Sequence, residues 1–496
     1  MKLSNIDELK PYPKMKDSGV SWLNQVPVHW SLLRGKFLFR CIDVRSSTGE
    51  EELLTVSSER GVVPRSSATV TMFQAESYVG YKLCWPDDLV INSLWAWGRG
   101  LGVSRYHGIV SSAYGVYRLR PPYSDYSHYI HRLVRSTPFN FELCLRSKGI
   151  WRSRLQLTDE AFLDALLPVP PIEEQTAIVR FLDHADRRIR RYIRAKQKLI
   201  ALLEEQKQAI IHQAVTGQIN VRTGQPYPAY EASGVEWLGD VPEHWEWRRL
   251  KQCARTISKG TTPSTEGRQT LEFGPIRFLK AENITSAGVA EKPIHFIDEE
   301  TNNLLRRSQL KEGDVLFVIA GATLGKTAVV LKDLLPANTN QAVAFIRPHN
   351  RILPTYLAFF LQSPHVKEVT WLTAVQSAQP NLSMTDLGNF FMALPPLPEQ
   401  TAIVDYLDKA IAAIDTSISR TYRQMEVLRE YRTRLIADVV TGKLDVREAA
   451  AELPEVDPLA EDDLDGTIHD GGNSNLGELD AEESAEEYTI EKEMPL

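Results

Sequence analysis

The chain of 496 residues has only four cysteines. Cys41, Cys84, Cys144 and Cys253 lie far apart, and no Cys-x-x-Cys pair occurs. That spacing excludes a zinc ribbon and suits a reducing compartment. No stretch approaches the roughly 18 apolar residues of a membrane span, and residues 1–17 are Lys- and Asp-rich with no apolar core for a secretory signal. A soluble, cytoplasmic protein without membrane association is expected. The 11 histidines are scattered without an His-x-x-x-His pair, so no metal site is expected. Gly321-Ala322-Thr323-Leu324-Gly325-Lys326-Thr327 has three residues between its glycines where a phosphate loop needs four, and it runs on into a strand pattern. Gly98-Arg99-Gly100-Leu101-Gly102 fails the dinucleotide spacing. The three Pro-Pro pairs follow Arg120, Val169 and Leu394, never the Asn of a methyltransferase Asn-Pro-Pro-aromatic motif. No catalytic residues and no cofactor are therefore assigned to this chain; the reading is binding without chemistry.

Positive charge is also scarce on average. Lys and Arg number 57 against 64 Asp and Glu, a net −7 that argues against a nucleic-acid binder. The average conceals a split. Residues 450–496 hold 16 acidic groups and one basic group, Lys492, while residues 1–449 hold 56 basic and 48 acidic groups, a balance of +8. A mildly basic body carries an acidic, aromatic-poor tail, expected to be disordered.

What the chain has in abundance is self-similarity. Pro11-Tyr12-Pro13, Ser18-Gly19-Val20, Trp22-Leu23, Val26-Pro27 and His29-Trp30 return as Pro226-Tyr227-Pro228, Ser233-Gly234-Val235, Trp237-Leu238, Val241-Pro242 and His244-Trp245, at a constant offset of 215. His29 and His244 suit stacking and capping better than metal binding. A second block, Pro170-Pro171, Glu174-Gln175-Thr176-Ala177-Ile178-Val179 and Leu182-Asp183, recurs from Pro395 at an offset of 225, as does Val215-Thr216-Gly217 at Val440. No insertion separates Pro170 from Gly217 in either copy, so the length of that segment is constrained.

The fixed segment reads as helix. The prolines stop the preceding chain, acidic residues suit an N-terminus, and Gly217 suits the residue just beyond a C-terminus. Apolar residues recur in steps of four and three, with polar residues filling the gaps: Leu182, Ile189, Ile193, Ile200, Leu203 and Ile210 in the first copy, and Leu407, Ile411, Ile414, Ile418, Met425, Leu428 and Leu435 in the second. Asp186, Lys196, Lys207, Thr421 and Arg432 are the polar members. This is a coiled-coil seam. Helices over 174–216 and its second copy would run about 64 Å each and pack as an antiparallel pair. The intervening inserts alternate short β-branched runs with Gly and Pro turns. Strands are expected at 53–56, 62–63, 68–72, 89–91 and 115–119, then at 276–279, 315–319, 327–331 and 342–346, with short helices at 129–135 and 355–362. Each insert carries 17 basic and 13 acidic residues. The fold class is α+β: two α/β-type domains joined by two long helices in an internal pseudo-twofold duplication. The segments are a lead-in (1–30), first insert (31–166), first helix (167–217), linker and second lead-in (218–245), second insert (246–391), second helix (392–447) and tail (448–496).

The duplicated Pro-Pro-x-x-Glu-Gln-Thr-Ala-Ile-Val-x-x-Leu-Asp blocks, the long helix closing in Val-Thr-Gly and the Ser-Gly-Val-x-Trp-Leu lead-ins resemble those of type I restriction–modification specificity (S) subunits. The resemblance spans Pro11 to about Arg447. It implies that the inserts are target recognition domains, each reading half of a bipartite site in double-stranded DNA, and that the helices set the half-site separation. It also implies docking of two methylation (M) subunits and two restriction (R) subunits, with S-adenosylmethionine, ATP and Mg used by those partners. Lys259-Gly260-Thr261-Thr262-Pro263-Ser264 resembles the family's Gly-Thr-Pro-Ser turn. Gly313-Asp314-Val315-Leu316 resembles its later strand, matched in the first insert by Asp87-Asp88-Leu89-Val90.

Sequence reading needs side chains at base edges and cations on phosphates. The DNA-binding candidates are Trp95, Arg99 and Arg105 around a Gly-rich stretch that reads equally as a flexible basic loop or as a packed turn with solvated arginines, then Lys259, Thr261, Thr262, Lys280, Asn283 and Lys326; Gln379 and Asn381 have the amides that reach adenine, as has Gln341. Glu174, Gln175, Glu399 and Gln400, at the Pro-Pro corners, are the candidates for partner docking. A second reading remains: an assembly scaffold whose inserts bind protein. The two inserts differ in sequence yet share a +4 balance, which favours DNA.

Overall fold

The computed structural model describes residues 9–68, 77–149, 155–285, 288–374 and 380–454. Residues 69–72 of the expected strand at 68–72, and most of the acidic tail, lie outside them. The chain divides into two compact units, residues 1–196 with 423–496 and residues 197–422. The boundaries cut both long helices, so each unit holds one lead-in, one insert and a portion of each helix.

The long helices are Ile172–Val215 and Leu397–Val440, 44 residues each. Each starts one residue after a Pro-Pro pair and ends before a glycine in the left-handed region, Gly217 (φ 77°) and Gly442 (φ 76°). Close approach makes these glycines obligatory. A Cβ on Gly442 would stand 2.4 Å from Pro27 and 3.0 Å from Trp30, and one on Gly217 would stand 2.5 Å from Pro242 and 3.1 Å from Trp245.

In the first unit, the four-stranded antiparallel sheet has the order Phe39–Cys41, Tyr114–Leu119, Leu89–Asn92, Leu101–Val103. The helices Ser127–Val134 and Thr137–Arg146 pack beside it. The first and last strands of the insert, Ser31–Arg34 and Leu166–Val169, pair with each other and so bring its two ends together. Trp22, Leu23 and Trp30 of the lead-in share one core with Leu133, Phe139, Ile178, Leu182, Leu435 and Val439. The insert thus packs on both long helices. Arg432 bonds the buried Asp186 carboxylate, which Arg190 also approaches at 3.0 Å. Two of the polar gaps in the apolar pattern therefore meet as an ion pair.

The second unit repeats the plan. Its sheet has the order Ala254–Lys259, Val343–Pro348, Val315–Val318, Thr327–Val329. The helices Pro354–Gln362 and Pro364–Thr373 correspond to those of the first insert, and Glu246–Arg249 pairs with Phe391–Leu394 at the insert's ends. A smaller sheet, Phe296–Ile297, Ile276–Leu279 and Ala337–Thr339, is added. Ile211, Val215, Ile403 and Leu407 of the long helices join Tyr227, Trp245, Leu357 and Phe360 in the core, and Lys207 pairs with Asp415 at 2.6 Å. Along the apolar pattern, Leu182, Ile189, Ile193, Leu407, Ile414, Ile418 and Leu435 are buried; Leu203, Ile210 and Leu428 are half-buried.

Candidate nucleic-acid interface

The two repeated sequence blocks converge on one carboxylate in each unit. Glu174 accepts hydrogen bonds from the Tyr12 hydroxyl and, at 2.9 Å, from the Trp30 indole; His29 lies 2.7 Å away. Glu399 is held in the same way by Tyr227 (2.9 Å), His244 (2.8 Å) and Trp245 (3.0 Å). Gln175 and Gln400 donate to the carbonyls of Pro170 and Pro395, both at 2.8 Å. Gln400 also bridges Arg351 and Leu353. The expectation that these four residues present a docking surface is corrected: Glu174 is 4% exposed, Gln175 2% and Gln400 0%, and Glu399 spends its carboxylate on three internal partners. The two glutamates fasten the lead-in to the start of a long helix, and the two glutamines tie down the chain that enters it. Burial works to raise the Glu399 pKa, but the bonds from Trp245, His244 and Tyr227 outweigh it and hold the carboxyl below its ordinary value.

The Asp of the Asp-Leu-Val and Asp-Val-Leu strands is likewise structural. Asp88 and Asp314 are wholly buried, and each takes both arms of an arginine at 2.7 Å, from Arg118 and Arg347. Each also accepts a backbone N–H, from Trp85 or Lys311. Sequence reasoning matched the aspartates but missed their arginine partners, which no spacing rule indicates.

In the second unit most candidates gather at one end of the four-stranded sheet. The Lys259–Ser264 turn docks there because Gly260 lets backbone meet backbone: a Cβ would stand 2.0 Å from the Thr339 carbonyl oxygen. Gly260 N–H donates to Val343 and Thr261 N–H to Thr339, both at 3.1 Å. Asn340 N–H donates to Leu279, which seats Lys280 beside this turn. Ile319 N–H donates to Ala342, and Leu382 N–H to Ile319. The hairpin tip that ends in exposed Lys326, and the exposed Asn381, thereby join the group. Lys259 and Gln341 are exposed, and Thr261 and Thr262 half-exposed. The Asn340 amide oxygen, which sequence reasoning did not single out, is buried here without a hydrogen-bond partner. Asn283 is corrected: it is 1% exposed, accepts from Lys280 N–H and donates to Pro293, which makes it a turn cap. Gln379 lies outside the described residues.

In the first unit the corresponding hairpin tip carries Trp95 and Arg99. Of the two readings of this Gly-rich stretch, the structure has the packed turn. Residues 96–98 form a short 3-10 helix, Trp95 and Trp97 stand 4.7 Å apart, and Cβ atoms on Gly98 and Gly100 would lie 2.6 and 2.8 Å from Trp95. Arg99 adopts φ 64° and donates to Thr137 at 2.9 Å. Arg105 is exposed at the opposite end of the Leu101–Val103 strand, so the structure separates it from Trp95 and Arg99. Among the described residues no group of acidic, His and Cys side chains is arranged to hold a metal, and no helix is long and apolar enough to cross a membrane.

Residues 242–423 match the family model of the type I restriction modification DNA specificity domain. The chain is 25% identical over 303 residues to the type I restriction enzyme EcoBI specificity subunit of Escherichia coli, covering 60% of this chain and 62% of that one. It is 25% identical over 290 residues to the MjaVIII specificity subunit of Methanocaldococcus jannaschii (58% and 64%), and 22% identical over 344 residues to the EcoKI specificity subunit of Escherichia coli K12 (68% and 70%). The matches thus span a little under two thirds of the first two relatives. A chain solved in work on complex assembly and conformational transition of the type I R-M system shares the fold, with a TM-score of 0.61 over 84% of this chain and 98% of its own at 19% identity. Over residues 242–423 the chain thus matches the type I restriction modification DNA specificity domain, and it is similar along more of its length to specificity subunits of type I restriction enzymes.

Proposed function

We propose that this protein is the DNA-recognition subunit of a type I restriction–modification complex. It reads a bipartite double-stranded target with its two inserts, performs no chemistry itself, and docks two methylation and two restriction subunits in the cytoplasm. S-adenosylmethionine, ATP and Mg act on those partners. The observation that carries the reading is the pair of sheet ends. The same antiparallel sheet recurs in each insert, held by the same Asp–Arg pair, yet its hairpin end carries Trp95 and Arg99, both half-exposed, in one copy and Lys259, Thr261, Lys280, Lys326 and Asn381 in the other. A constant frame with different polar tips suits two different half-sites, whereas a symmetric protein scaffold would keep its faces alike.

Methylation-sensitive sequencing of a host carrying this chain with its partner subunits is the test. A split motif is expected; a continuous motif, or none, refutes the reading. Exchanging residues 31–166 for another insert should change only one half of the motif, because paired terminal strands close each insert at its base. The antiparallel helix pair acts as a ruler: lengthening both helices by one turn, about 5.4 Å, should change the spacer and leave both halves intact.

A further inference from the structure

The first long helix holds more positive charge than its packing uses. Residues 187–196 contain Arg187, Arg188, Arg190, Arg191, Arg194 and Lys196 and no acidic residue. The same stretch of the second helix, residues 412–421, has one Asp and one Arg, so the helix pair itself does not require such a run. Asp186 is shared by Arg190 and Arg432. Arg187, Arg188 and Arg191 form no ion pair among the described residues; Arg191 is exposed and the other two half-exposed.

We propose that Arg187, Arg188 and Arg191 form a phosphate-binding rail that continues the DNA contact of the first insert along the helix. This rests on the DNA-recognition reading above. Continuity with the insert is the main argument. Arg132, on the insert's helix Ser127–Val134, bonds Asp183 at 2.5 Å. Arg187 lies one turn further on the same face and Arg191 one turn beyond that. On the insert side, Arg135, next to the C-terminus of the helix Ser127–Val134, donates to the carbonyls of Leu101 at 2.6 Å and Arg99 at 3.5 Å, beside the Arg99 side chain that holds Thr137. On the helix side, Arg188 and Arg187 add to partial burial in lowering the pKa of His184. A basic line therefore runs from Arg99, at the hairpin tip of the insert, through Arg135 and Arg132 to the helix. Arg187 and Arg191 are about 6 Å apart along the helix axis, the span of roughly two phosphates on one strand of a duplex. Arginine suits this work because its planar guanidinium binds phosphate oxygens in pairs.

The test compares the full-length wild type with R187A/R188A/R191A and R187K/R188K/R191K, on a random-sequence duplex pool and on the duplex selected from it. For the alanine variant, the slope of log affinity against log salt should fall by about 2–3. Its affinity should drop by the same factor on both DNAs, with an unchanged selected sequence and melting curve. The lysine variant should keep most of the slope, since a point charge still holds a phosphate. An unchanged slope in the alanine variant overturns the rail, as does a loss confined to the selected duplex, a lysine variant as impaired as the alanine one, or impaired binding of a partner protein alone. Wild type that shows no salt-dependent duplex binding refutes the recognition reading itself, and the rail with it.

Discussion

The Tyr356 hydroxyl lies 3.2 Å from the carbonyl of Val215, at the end of one long helix, and 2.9 Å from that of Ala393, just before the start of the other. Tyr129 does the same in its own unit, at 3.0 Å from Val440 and 3.1 Å from Pro168. Both tyrosines are almost wholly buried. Within each unit the end of one helix therefore lies against the beginning of the other, which makes the pair antiparallel, and the insert carries the clasp. Removing either hydroxyl leaves buried carbonyls short of a donor. Tyr356→Phe should cost about 1–3 kcal/mol in urea unfolding, with fluorescence as the readout, and Tyr129→Phe a similar amount. An unchanged midpoint for both would show that the clasp is dispensable.

Asp314 is a buried charge whose neutralisation depends on Arg347. Asp314→Ala strands the guanidinium and frees the Lys311 amide, and is expected to destabilise the protein by about 3–5 kcal/mol. Replacing both partners with apolar residues of similar size should recover much of that loss. The double variant's thermal midpoint decides the matter: if it is no better than the single variant's, the arginine contributes more than charge balance.

Glu399 sets a pH response with a definite sign. Its folded pKa lies below the ordinary 4.5, so its stabilisation is fully present above 4.5 and is lost as acidification passes the lower folded value. Glu399→Gln should flatten the acid limb of the stability–pH curve below 4.5 while costing stability at neutral pH. Equal acid sensitivity in both proteins would count against the carboxylate's role.

His212 acts in a higher window. Burial foremost, and the His365 ring 4.3 Å away, bring its pKa down to about 4. The unfolded chain binds this proton near pH 6.5 and the folded one only near 4, so stability should fall progressively as pH drops from 6.5 to 4. His212→Asn should remove that part of the slope, as read by denaturant unfolding at pH 7.5 and pH 5. A variant with the wild-type slope would exclude His212 as its source.

The frame was legible in the sequence because periodicity and repetition are linear properties. Steps of four and three mark the buried stripe from Leu182 to Ile193. The uninterrupted copy from Pro170 to Gly217 gives the helix length, and the Gly-Pro-rich inserts read as mixed α/β. Strands at 53–56, 89–91, 276–279 and 315–319 fall within about a residue of those observed. Short strands such as Lys82–Cys84, and the helices Thr137–Arg146 and Pro364–Thr373, escaped because their apolar residues face cores assembled from distant segments.

What the sequence determined by itself is therefore the duplicated frame, the two unlike inserts and the division of charge between body and tail. Tertiary structure alone decided which polar residues are spent inside. Glu174 and Glu399 resemble surface corner residues until Tyr, His and Trp side chains from more than a hundred residues away close on them. Asn283 resembles a base-reading amide until its own turn consumes it. Arg187 and Arg191 look like any solvated helix face until Arg132 brings the first insert against Asp183. The physical reason is common to all three: whether a polar group is satisfied or available depends on what the fold places beside it, and sequence spacing records only what lies on the same local element.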